Sequence, residues 1–231
     1  MKTIGLLGGL SWESSIEYYR IINEGVKTRL GGLHSAQCLM YSFNFAEIEH
    51  LQANGDWEAA TQRMIEAAQQ VERGGAECLV ICSNTMHRMA DAVQASIAIP
   101  LLHIADATAI AIKAQNIDTI GLLGTRYTME QDFYKGRLIE NHHLKVHIPA
   151  EPSRTRVHDI IYEELVVGTV RPQSREQYQK VINALVDDGA AGIILGCTEI
   201  ELLIQQEHSP VPVFPTTYLH AMAAVDWALA N

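Results

Sequence analysis

The sequence predicts an α/β protein made of two similar domains, each a parallel sheet with helices on both faces. Short apolar runs alternate with longer amphipathic stretches along the 231 residues. This alternation is typical of parallel sheets whose strands are joined by helices, and strands buried on both faces are apolar throughout. The second half of the chain also repeats the first in order and spacing. We therefore expect two copies of one unit, related by a pseudo-twofold axis.

The strand candidates are short apolar runs that stop at glycine or at polar residues. In chain order they are TIGLLG (3–8), CLMYSF (38–43), CLVICS (78–83), TIGLLG (119–124) and GIILGC (192–197). The helix candidates are longer stretches in which apolar residues recur with the helical period. In chain order they are SSIEYYRIINEGVKTRL (14–30), DWEAATQRMIEAAQQVERGG (56–75), TMHRMADAVQAS (85–96), MEQDFYKGRLIEN (129–141), VHDIIYEELVVG (157–168) and REQYQKVINALVDDGA (175–190).

Three pairs of matching segments carry the internal repeat. TIGLLGG and TIGLLGT, which begin at residues 3 and 119, are offset by 116 residues. GAECLVICSNT and GAAGIILGCTE, which begin at 75 and 189, are offset by 114. IPLLHI and VPVFPT, which begin at 99 and 211, are offset by 112. Three matches in one order, with a slowly drifting offset, indicate duplication of one unit.

The repeat aligns the polar ends of two strands. An offset of 114 places Ser83 on Cys197, while Cys82 falls on Gly196. Because side chains alternate between the faces of a strand, Cys82 is expected to point away from the Ser83 face. Ligands of parallel α/β sheets bind beyond the carboxyl ends of the strands, so Ser83 and Cys197 are expected to approach one cleft from opposite sides. Acid–base groups on both sides of a cleft suit chemistry at a stereocentre, because one removes a proton and the other returns one.

Composition limits the partners. The net charge of −10 argues against nucleic acid or an anionic membrane surface. No apolar stretch approaches the roughly 20 residues that a membrane-spanning helix needs, and the N-terminal segment is predicted as a first strand and not a signal peptide. The chain has four cysteines, which in such a sequence are expected to be free thiols. We expect a cytoplasmic protein that does not bind membranes.

Other motifs do not indicate a metal or a nucleotide. Cys78 and Cys82 form C-x3-C, a poor zinc spacing without a second ligand pair. The histidines at positions 142, 143 and 147 have no cysteine or carboxylate spaced to complete a site, so we expect a solvated loop. The turn LLGG (6–9) lacks the G-x-G-x-x-G fingerprint, and no G-K-[ST] occurs. We expect neither a metal nor a cofactor.

Three segments resemble motifs of the aspartate/glutamate racemase superfamily: LGCTEI (195–200), NTMH (84–87) and LLGTRYTM (122–129). The resemblance covers essentially the whole chain. It implies two similar α/β domains with a cleft between them, a homodimer, and catalysis without pyridoxal phosphate or metal by two cysteines on opposite faces of the α-carbon. With the third repeat match, it implies a first domain of residues 1–100 plus 216–231 and a second domain of residues 101–215.

Carried over residue by residue, the resemblance makes Cys197 the second cysteine, which faces the hydrogen of the L-isomer. The first cysteine falls on Ser83, so the sequence departs from the family pattern there. The positions that hold the polar groups of the amino acid are Asn84, Thr85, Thr125 and Thr198. Just past the first glycine turn, Ser11 and Trp12 are also expected to line the cleft. His87 is expected either to reach the cleft or to pack beneath it.

The segment TEIELLIQQE (198–207) is predicted to form a helix behind Cys197. Backbone N–H groups at a helix N-terminus favour an anion, so this position is expected to favour the thiolate over the thiol. If Glu199 points inward, it opposes that effect. Alternatively, Glu199 orients the ammonium group of the substrate.

The predicted function is racemisation of an amino acid, with aspartate and glutamate as leading substrates and a broader range open. Aspartate-specific members of the superfamily carry basic residues for the side-chain carboxylate. Val166 stands at one such position, and no arginine follows YSFNF (41–45) closely. Two alternatives stay open at this point: a single-cysteine decarboxylase or maleate isomerase of the same superfamily, and an amino-acid-binding protein without catalysis.

Overall fold

Two compact units make up the chain in the computed structural model, which describes residues 1–230. The first unit comprises Met1–Ile104 and the chain from His220 onward, and the second comprises Ala105–Leu219. Both crossovers lie a few residues farther along the chain than the boundaries expected from the sequence. The chain therefore leaves the first unit once and returns to it near its end.

The first unit contains a parallel sheet of four strands. In spatial order they are β2 (Cys38–Ser42), β1 (Ile4–Gly8), β3 (Cys78–Ile81) and β4 (Leu101–Leu102). Leu7 of β1 lies opposite Ile81 of β3. The turns that follow these two strands therefore lie side by side at the carboxyl edge of the sheet, where the sequence predicts polar site residues.

The helices of the first unit cover both faces of this sheet. They are α1 (Trp12–Leu30), α2 (Phe45–Ala53), α3 (Trp57–Arg73) and α4 (Ala90–Ala95), together with a 3-10 helix (Thr85–Met89). Alternate strand residues pack on opposite faces. One face buries Leu7 and Ile81 against α2 and α3. The other buries Val80 and Cys82 against α1 and the C-terminal residues, which explains why these strands are apolar throughout.

The second unit repeats this arrangement. In spatial order its strands are β6 (Lys145–His147), β5 (Thr119–Gly124), β7 (Ile193–Gly196) and β8 (Val213–Pro215). Its helices are α5 (Ile104–Ala114), α6 (Arg126–Glu130), α7 (Asp132–Glu140), α8 (Ser153–Ile160), α9 (Pro172–Asp187) and α10 (Ile200–Leu203). The last helix, α11 (Thr216–Leu229), begins in this unit and carries the chain back to the first.

The strand registers confirm the internal repeat. Leu7 pairs with Ile81 in the first sheet, and Leu123 pairs with Leu195 in the second. These are the residues that the sequence offsets of 116 and 114 equate. The next strand pair agrees as well, because Leu79 lies opposite Leu101 and Ile193 lies opposite Val213. The two sheets therefore share one strand order and one register.

Three predicted helices differ from the structure. The segment 85–96 begins as the 3-10 helix before α4, and the segment 157–168 contains a π-helical turn, Ile161–Leu165, after α8. The segment 198–207 is helical only over Ile200–Leu203, because Ile204 has an extended backbone. Reciprocal caps between Gln205 and His208 start a separate 3-10 helix directly afterwards, which stops the helix from continuing. No helix within residues 1–230 is both long and apolar enough to cross a membrane.

Candidate active site

Cys197 follows the last residue of β7 at the carboxyl edge of the second sheet. Gly196 precedes it and pairs with Gly124 of β5. A Cβ atom at Gly196 would lie 2.8 Å from the carbonyl oxygen of Leu123, so this pairing requires a residue without a side chain. Cys197 and Thr125 therefore occupy neighbouring positions, each directly after one glycine of this close pair.

The Cys197 thiol donates a hydrogen bond to a carboxylate oxygen of Glu199, with an Sγ–Oε2 distance of 2.8 Å. Burial is the largest cause that raises the pKa of this thiol well above its ordinary value of 9.0, although the residue as a whole is half-buried. The charge of Glu199 and the hydrogen bond to it raise the pKa further. The expectation that a helix N-terminus favours the thiolate is therefore wrong: α10 has four residues, and burial together with the nearby carboxylate favours the thiol.

Hydroxyl groups surround this end of the second sheet. The Thr125 side chain caps α6 by accepting from the Thr128 amide at 3.3 Å, and the two hydroxyl oxygens lie 3.2 Å apart. Thr217 donates to the hydroxyl of Thr198, with an oxygen–oxygen distance of 3.1 Å. Thr125 is buried, whereas Thr198 is half-buried. The predicted contact residues of the second unit therefore lie on turns that follow neighbouring strands.

His158 supports the Thr125 turn and was not anticipated from the sequence. The backbone N–H of Arg126, the first residue of α6, donates to Nδ1 of His158 at 3.2 Å. Burial, and then the Arg126 charge, lower the pKa of His158 below its ordinary 6.5. Since only the neutral ring can accept this bond, a low pKa preserves it. No sequence signal indicated this contact, because the two residues are distant along the chain.

Ser83 lies at the corresponding edge of the first sheet, just beyond β3. Its backbone N–H donates to the carbonyl of Ile81 at 2.8 Å, and its hydroxyl oxygen accepts from the Met86 amide at 3.4 Å. The carbonyl of Ser83 lies 2.7 Å from Nδ1 of His87. His87 is buried, so of the two expectations the structure favours a position beneath the turn.

The two polar residues after Ser83 begin the 3-10 helix. Asn84 is buried and stands at the N-cap position, and Thr85 is half-buried as the first helical residue. Cys82, one residue before Ser83, is fully buried in the core that α1 forms with the C-terminal residues. Cys78 is fully buried in the same core. Both cysteines therefore serve as packing residues, as the alternation of the strand predicts.

Ser11 and Trp12, the two predicted site residues after β1, differ in their burial. Gly9 has φ +72°, and a Cβ atom there would overlap the backbone of Phe43, so only glycine suits this turn. Ser11 is buried and caps α1 by accepting from the Ser14 amide at 3.2 Å. Trp12 is 62% exposed and lines a groove on the β2 side of β1, whereas Ser83 lies on the β3 side.

The structure thus groups the predicted residues by unit. Ser11, Ser83, Asn84 and Thr85 lie at the carboxyl edge of the first sheet. Thr125, Cys197, Thr198 and Glu199 lie at the carboxyl edge of the second sheet. Both groups lie where parallel sheets bind ligands. The arrangement supplies a thiol hydrogen-bonded to a carboxylate in one unit and a hydroxyl at the equivalent position of the other.

The histidine-rich segment differs from the solvated loop that was expected. Nε2 of His142 lies 2.7 Å from Oδ1 of Asp106, and the guanidinium of Arg137 donates to both oxygens of the same carboxylate. The cluster fastens α7 and the turn after it to α5. Within residues 1–230, no group of three histidine, cysteine or acidic side chains is arranged to hold a metal ion.

Sequence comparison identifies the family of the chain. Residues 7–224 match the model of the Asp/Glu/hydantoin racemase family. The chain belongs to this family. The broad-specificity amino-acid racemase RacX of Bacillus subtilis (strain 168) is 22% identical over 178 residues, which cover 76% of this chain and 75% of RacX.

Two solved structures resemble the chain over its full length. The chain resembles a Yersinia pestis protein assigned as an Asp/Glu racemase, with 56% identity, a TM-score of 0.96 and complete coverage of both chains. It also resembles an aspartate racemase homologue from Pyrococcus horikoshii OT3, with 33% identity, a TM-score of 0.87 and complete coverage of both chains. The α/β fold with two similar parallel sheets is therefore the fold of racemase relatives.

Proposed function

We propose that the protein racemises an amino acid by proton transfer at the α-carbon, without a cofactor, and that aspartate and glutamate are the leading substrates. The observation that carries this proposal is the Cys197 thiol, hydrogen-bonded to Glu199 at the carboxyl edge of one sheet. Ser83 occupies the equivalent position in the other sheet. Family membership and the names of the relatives support the same reaction class.

In the proposed reaction, Cys197 and Ser83 act on opposite faces of the substrate α-carbon, as the resemblance to the racemase superfamily implies. The Cys197 thiolate takes the α-hydrogen of the L-isomer as a proton, and the electron pair of the broken C–H bond remains on the substrate as a carbanion. Ser83 then donates its hydroxyl proton, directly or through a water, to the opposite face of that carbon. The D-isomer leaves, and solvent restores the Ser83 proton while Cys197 releases the proton it took.

Glu199 generates the base in this scheme. A buried thiol with a raised pKa is a poor base until its proton leaves, and the carboxylate that already accepts the S–H hydrogen bond is the nearest acceptor. Transfer of that proton leaves a thiolate and a neutral carboxylic acid. The pair carries one negative charge before and after the transfer, so no additional charge has to be buried. We propose this role for Glu199 in place of orientation of the substrate ammonium.

Ser83 makes the two directions of proton transfer unequal. A hydroxyl is a much weaker acid than a thiol, so a serine alkoxide is scarce and deprotonation of the D-isomer from that side is slow. Because racemisation has an equilibrium constant of one, kcat/KM is the same in both directions. Ser83 therefore slows inversion both ways and leaves removal of the L-isomer hydrogen by Cys197 less affected.

We propose that hydroxyl and amide groups hold the substrate. Their positions on turns beyond neighbouring strands support this role, and the residues concerned are Asn84, Thr85, Thr125, Thr198 and Ser11. Trp12 is a weaker candidate because its ring is largely exposed on the β2 side. The apolar Val166 at a position expected to be basic supports a range broader than aspartate alone.

The test is an NMR screen of L-amino acids in D2O. We expect the L-isomer of a true substrate to lose its α-hydrogen faster than it inverts, while the D-isomer exchanges slowly. Cys197→Ser should abolish exchange from the L-isomer. The matched control is Cys38→Ser, which alters a half-buried thiol on the edge strand β2 and should leave exchange unchanged.

Three outcomes would contradict the proposal. Equal exchange rates for the two isomers would reject the unequal roles of Cys197 and Ser83. Carbon dioxide release from a disubstituted malonate, without exchange of any amino acid, would identify a decarboxylase. Calorimetric binding of an amino acid without exchange would identify a binding protein.

We also propose that the protein is a homodimer. Trp12, Ile16 and Tyr19 of α1 are all more than half exposed, and they share an apolar groove with residues of the edge strand β2. Two copies related by a twofold axis would bury this face against itself. We expect Ile16→Asp to give a monomer in sedimentation equilibrium, whereas Ile110→Asp, at an exposed position of α5, should not. A monomeric parent protein would contradict the proposal.

A cytoplasmic location is a further part of the proposal. It rests on the four cysteines, all of which are free thiols, as is usual in a reducing compartment. Subcellular fractionation of the native host tests it, and recovery of the protein in an oxidising compartment would contradict it.

A further inference from the structure

His87 joins the ends of two strands in the first unit. It is 2% exposed. Its Nδ1 atom lies 2.7 Å from the carbonyl oxygen of Ser83, and its Nε2 atom accepts from the backbone N–H of Ile104 at 3.2 Å. The ring thus connects the turn after β3 to the turn after β4.

These two partners determine which nitrogen of the His87 ring carries the proton. The amide of Ile104 can only donate, so Nε2 of His87 must carry a lone pair. The carbonyl of Ser83 can only accept, so Nδ1 must carry the proton. The neutral tautomer with hydrogen on Nδ1 satisfies both bonds, whereas the other tautomer and the imidazolium each lose at least one.

Two neighbouring histidine rings pack against His87. His103 and His220 pack against it edge to face, with ring centroids 4.6 Å and 5.4 Å away. His220 is itself fixed, because its Nε2 lies 2.7 Å from the carbonyl of Leu102 and its Nδ1 lies 2.8 Å from the hydroxyl of Tyr18. Since that carbonyl can only accept, His220 carries its hydrogen on Nε2, and the two histidines hold opposite tautomers.

We infer that His87 is a positioning residue for Ser83, and this inference rests on the function proposed above. The peptide that carries Ser83 is held at its N–H by Ile81, at its hydroxyl by Met86 and at its carbonyl by His87. The hydroxyl contact is the longest of the three, at 3.4 Å. We infer that the two shorter backbone contacts, to Ile81 and to His87, orient the Ser83 side chain, and His87 is the one of the two that a side-chain substitution can remove. Misplacement of a reacting group by about 1 Å can cost about 10²-fold in rate.

Two conservative substitutions separate the two ends of this bridge. The side-chain amide of Asn reaches the place of Nδ1 and can still donate to the Ser83 carbonyl. The amide of Gln reaches the place of Nε2 and can still accept from Ile104, but it loses the bond to Ser83. We compare His87→Asn and His87→Gln for two rates on one substrate: loss of the L-isomer hydrogen in D2O, and inversion to the D-isomer.

We expect the two rates to separate. His87→Gln should lower inversion by about 10- to 100-fold while hydrogen loss from the L-isomer stays within about twofold, because Cys197 performs that step. His87→Asn should restore inversion to within about threefold of the parent protein. In a Ser83→Ala background, His87→Gln should lower inversion no further, because a residue that acts through Ser83 has nothing left to position.

The control for a purely structural role is His220→Gln. His220 is as deeply buried as His87 and belongs to the same cluster, but its hydrogen bonds go to Leu102 and Tyr18. This variant should lower the melting temperature and leave the ratio of inversion to exchange unchanged. The tautomers provide a second readout that does not depend on turnover. In ¹⁵N-histidine spectra, we expect His87 to be protonated at Nδ1 and His220 at Nε2.

Several results would overturn the inference. If inversion and exchange fall together in His87→Gln, or if His87→Asn is as impaired as His87→Gln, His87 does not position Ser83. Protonation of His87 at Nε2 would remove the bridge itself. A parent protein that exchanges no L-amino acid would instead reject the proposed function, and the role of His87 with it.

Discussion

The carboxyl edges of the two sheets have the same topology but different chemistry. In the second unit, the thiol of Cys197 is bonded to a carboxylate, and Thr125 caps the helix after the neighbouring strand. In the first unit, Ser83 supplies a hydroxyl whose carbonyl is bonded to His87, and Gly9 occupies the position equivalent to Thr125. The shared topology thus places these side chains at matching positions, while their chemical types differ.

The two edges differ in the hydrogen-bond partners of Cys197 and Ser83. Glu199 gives Cys197 an acceptor within hydrogen-bonding distance, so the second edge can produce a base. At the first edge, Ser83 contacts the carbonyl of Ile81, the backbone amide of Met86 and the ring of His87, and these contacts orient the residue. This difference supports the proposal that one edge removes a proton and the other donates one.

The largest effect is expected from Glu199→Gln. Gln can accept the hydrogen bond of the thiol but cannot take its proton, so loss of the L-isomer hydrogen should fall by about 10²–10⁴-fold. Removal of the carboxylate charge should at the same time lower the pKa of Cys197, so its alkylation by iodoacetamide at pH 8 should accelerate. Mass spectrometry of the alkylated peptide measures this rate.

Glu201→Gln is the matched control for this prediction. Glu201 also raises the pKa of Cys197, but by less than Glu199 does, so the change in alkylation should be smaller. If exchange accelerates together with alkylation in Glu199→Gln, then Glu199 suppresses the thiolate and does not act as the acceptor of its proton.

The second largest effect is expected from Gly9→Ala, at the position where the second unit has Thr125. The positive φ should cost about 1–2 kcal/mol, and overlap of the new Cβ with the Phe43 backbone about 1–3 kcal/mol more. Gly55→Ala isolates the first part, because Gly55 has φ +71° with open space around it. Urea unfolding of both variants measures the difference, and equal losses of stability would show that Phe43 gives way.

Ser83→Cys should make the two edges alike. A thiol at this position is a stronger acid than the hydroxyl, so we expect inversion to accelerate by about tenfold and the D-isomer to begin exchanging in D2O. Ser83→Ala is the control, and it should slow inversion while leaving exchange of the L-isomer. Unchanged exchange of the D-isomer in Ser83→Cys would place the new thiol away from the substrate.

The smallest effect concerns the support of the Thr125 turn by His158. Because the folded protein holds the pKa of His158 below 6.5, the unfolded chain binds this proton first as the pH falls. The stability due to neutral His158 is complete above about pH 6.5 and is lost as the pH falls through the lower folded value. His158→Asn can still accept from Arg126 but does not titrate, so its stability should decline less between pH 7 and pH 5 in urea unfolding. Parallel profiles for the two proteins would contradict this assignment.

Much of this architecture could be predicted because the repeat is local and periodic. The apolar runs predicted the four central strands, and the offsets between the repeats match the registers that the sheets adopt. The same alignment separated Cys82 from Ser83, and Cys82 is indeed buried in the core. The prediction was wrong where the helical pattern of apolar residues competed with capping. The segment 198–207 was predicted to be one helix, but the mutual caps of Gln205 and His208 interrupt it.

The sequence by itself determined the fold class, the repeat and the candidates for reactive side chains, because periodicity and residue chemistry are written along the chain. Only the tertiary structure decided the environment of those side chains. Glu199 turning back to the thiol, His158 reaching Arg126 and His87 joining Ser83 to Ile104 depend on distances between atoms. Acidity and orientation follow from burial and from such distances, and neither is fixed until the strands and helices have packed.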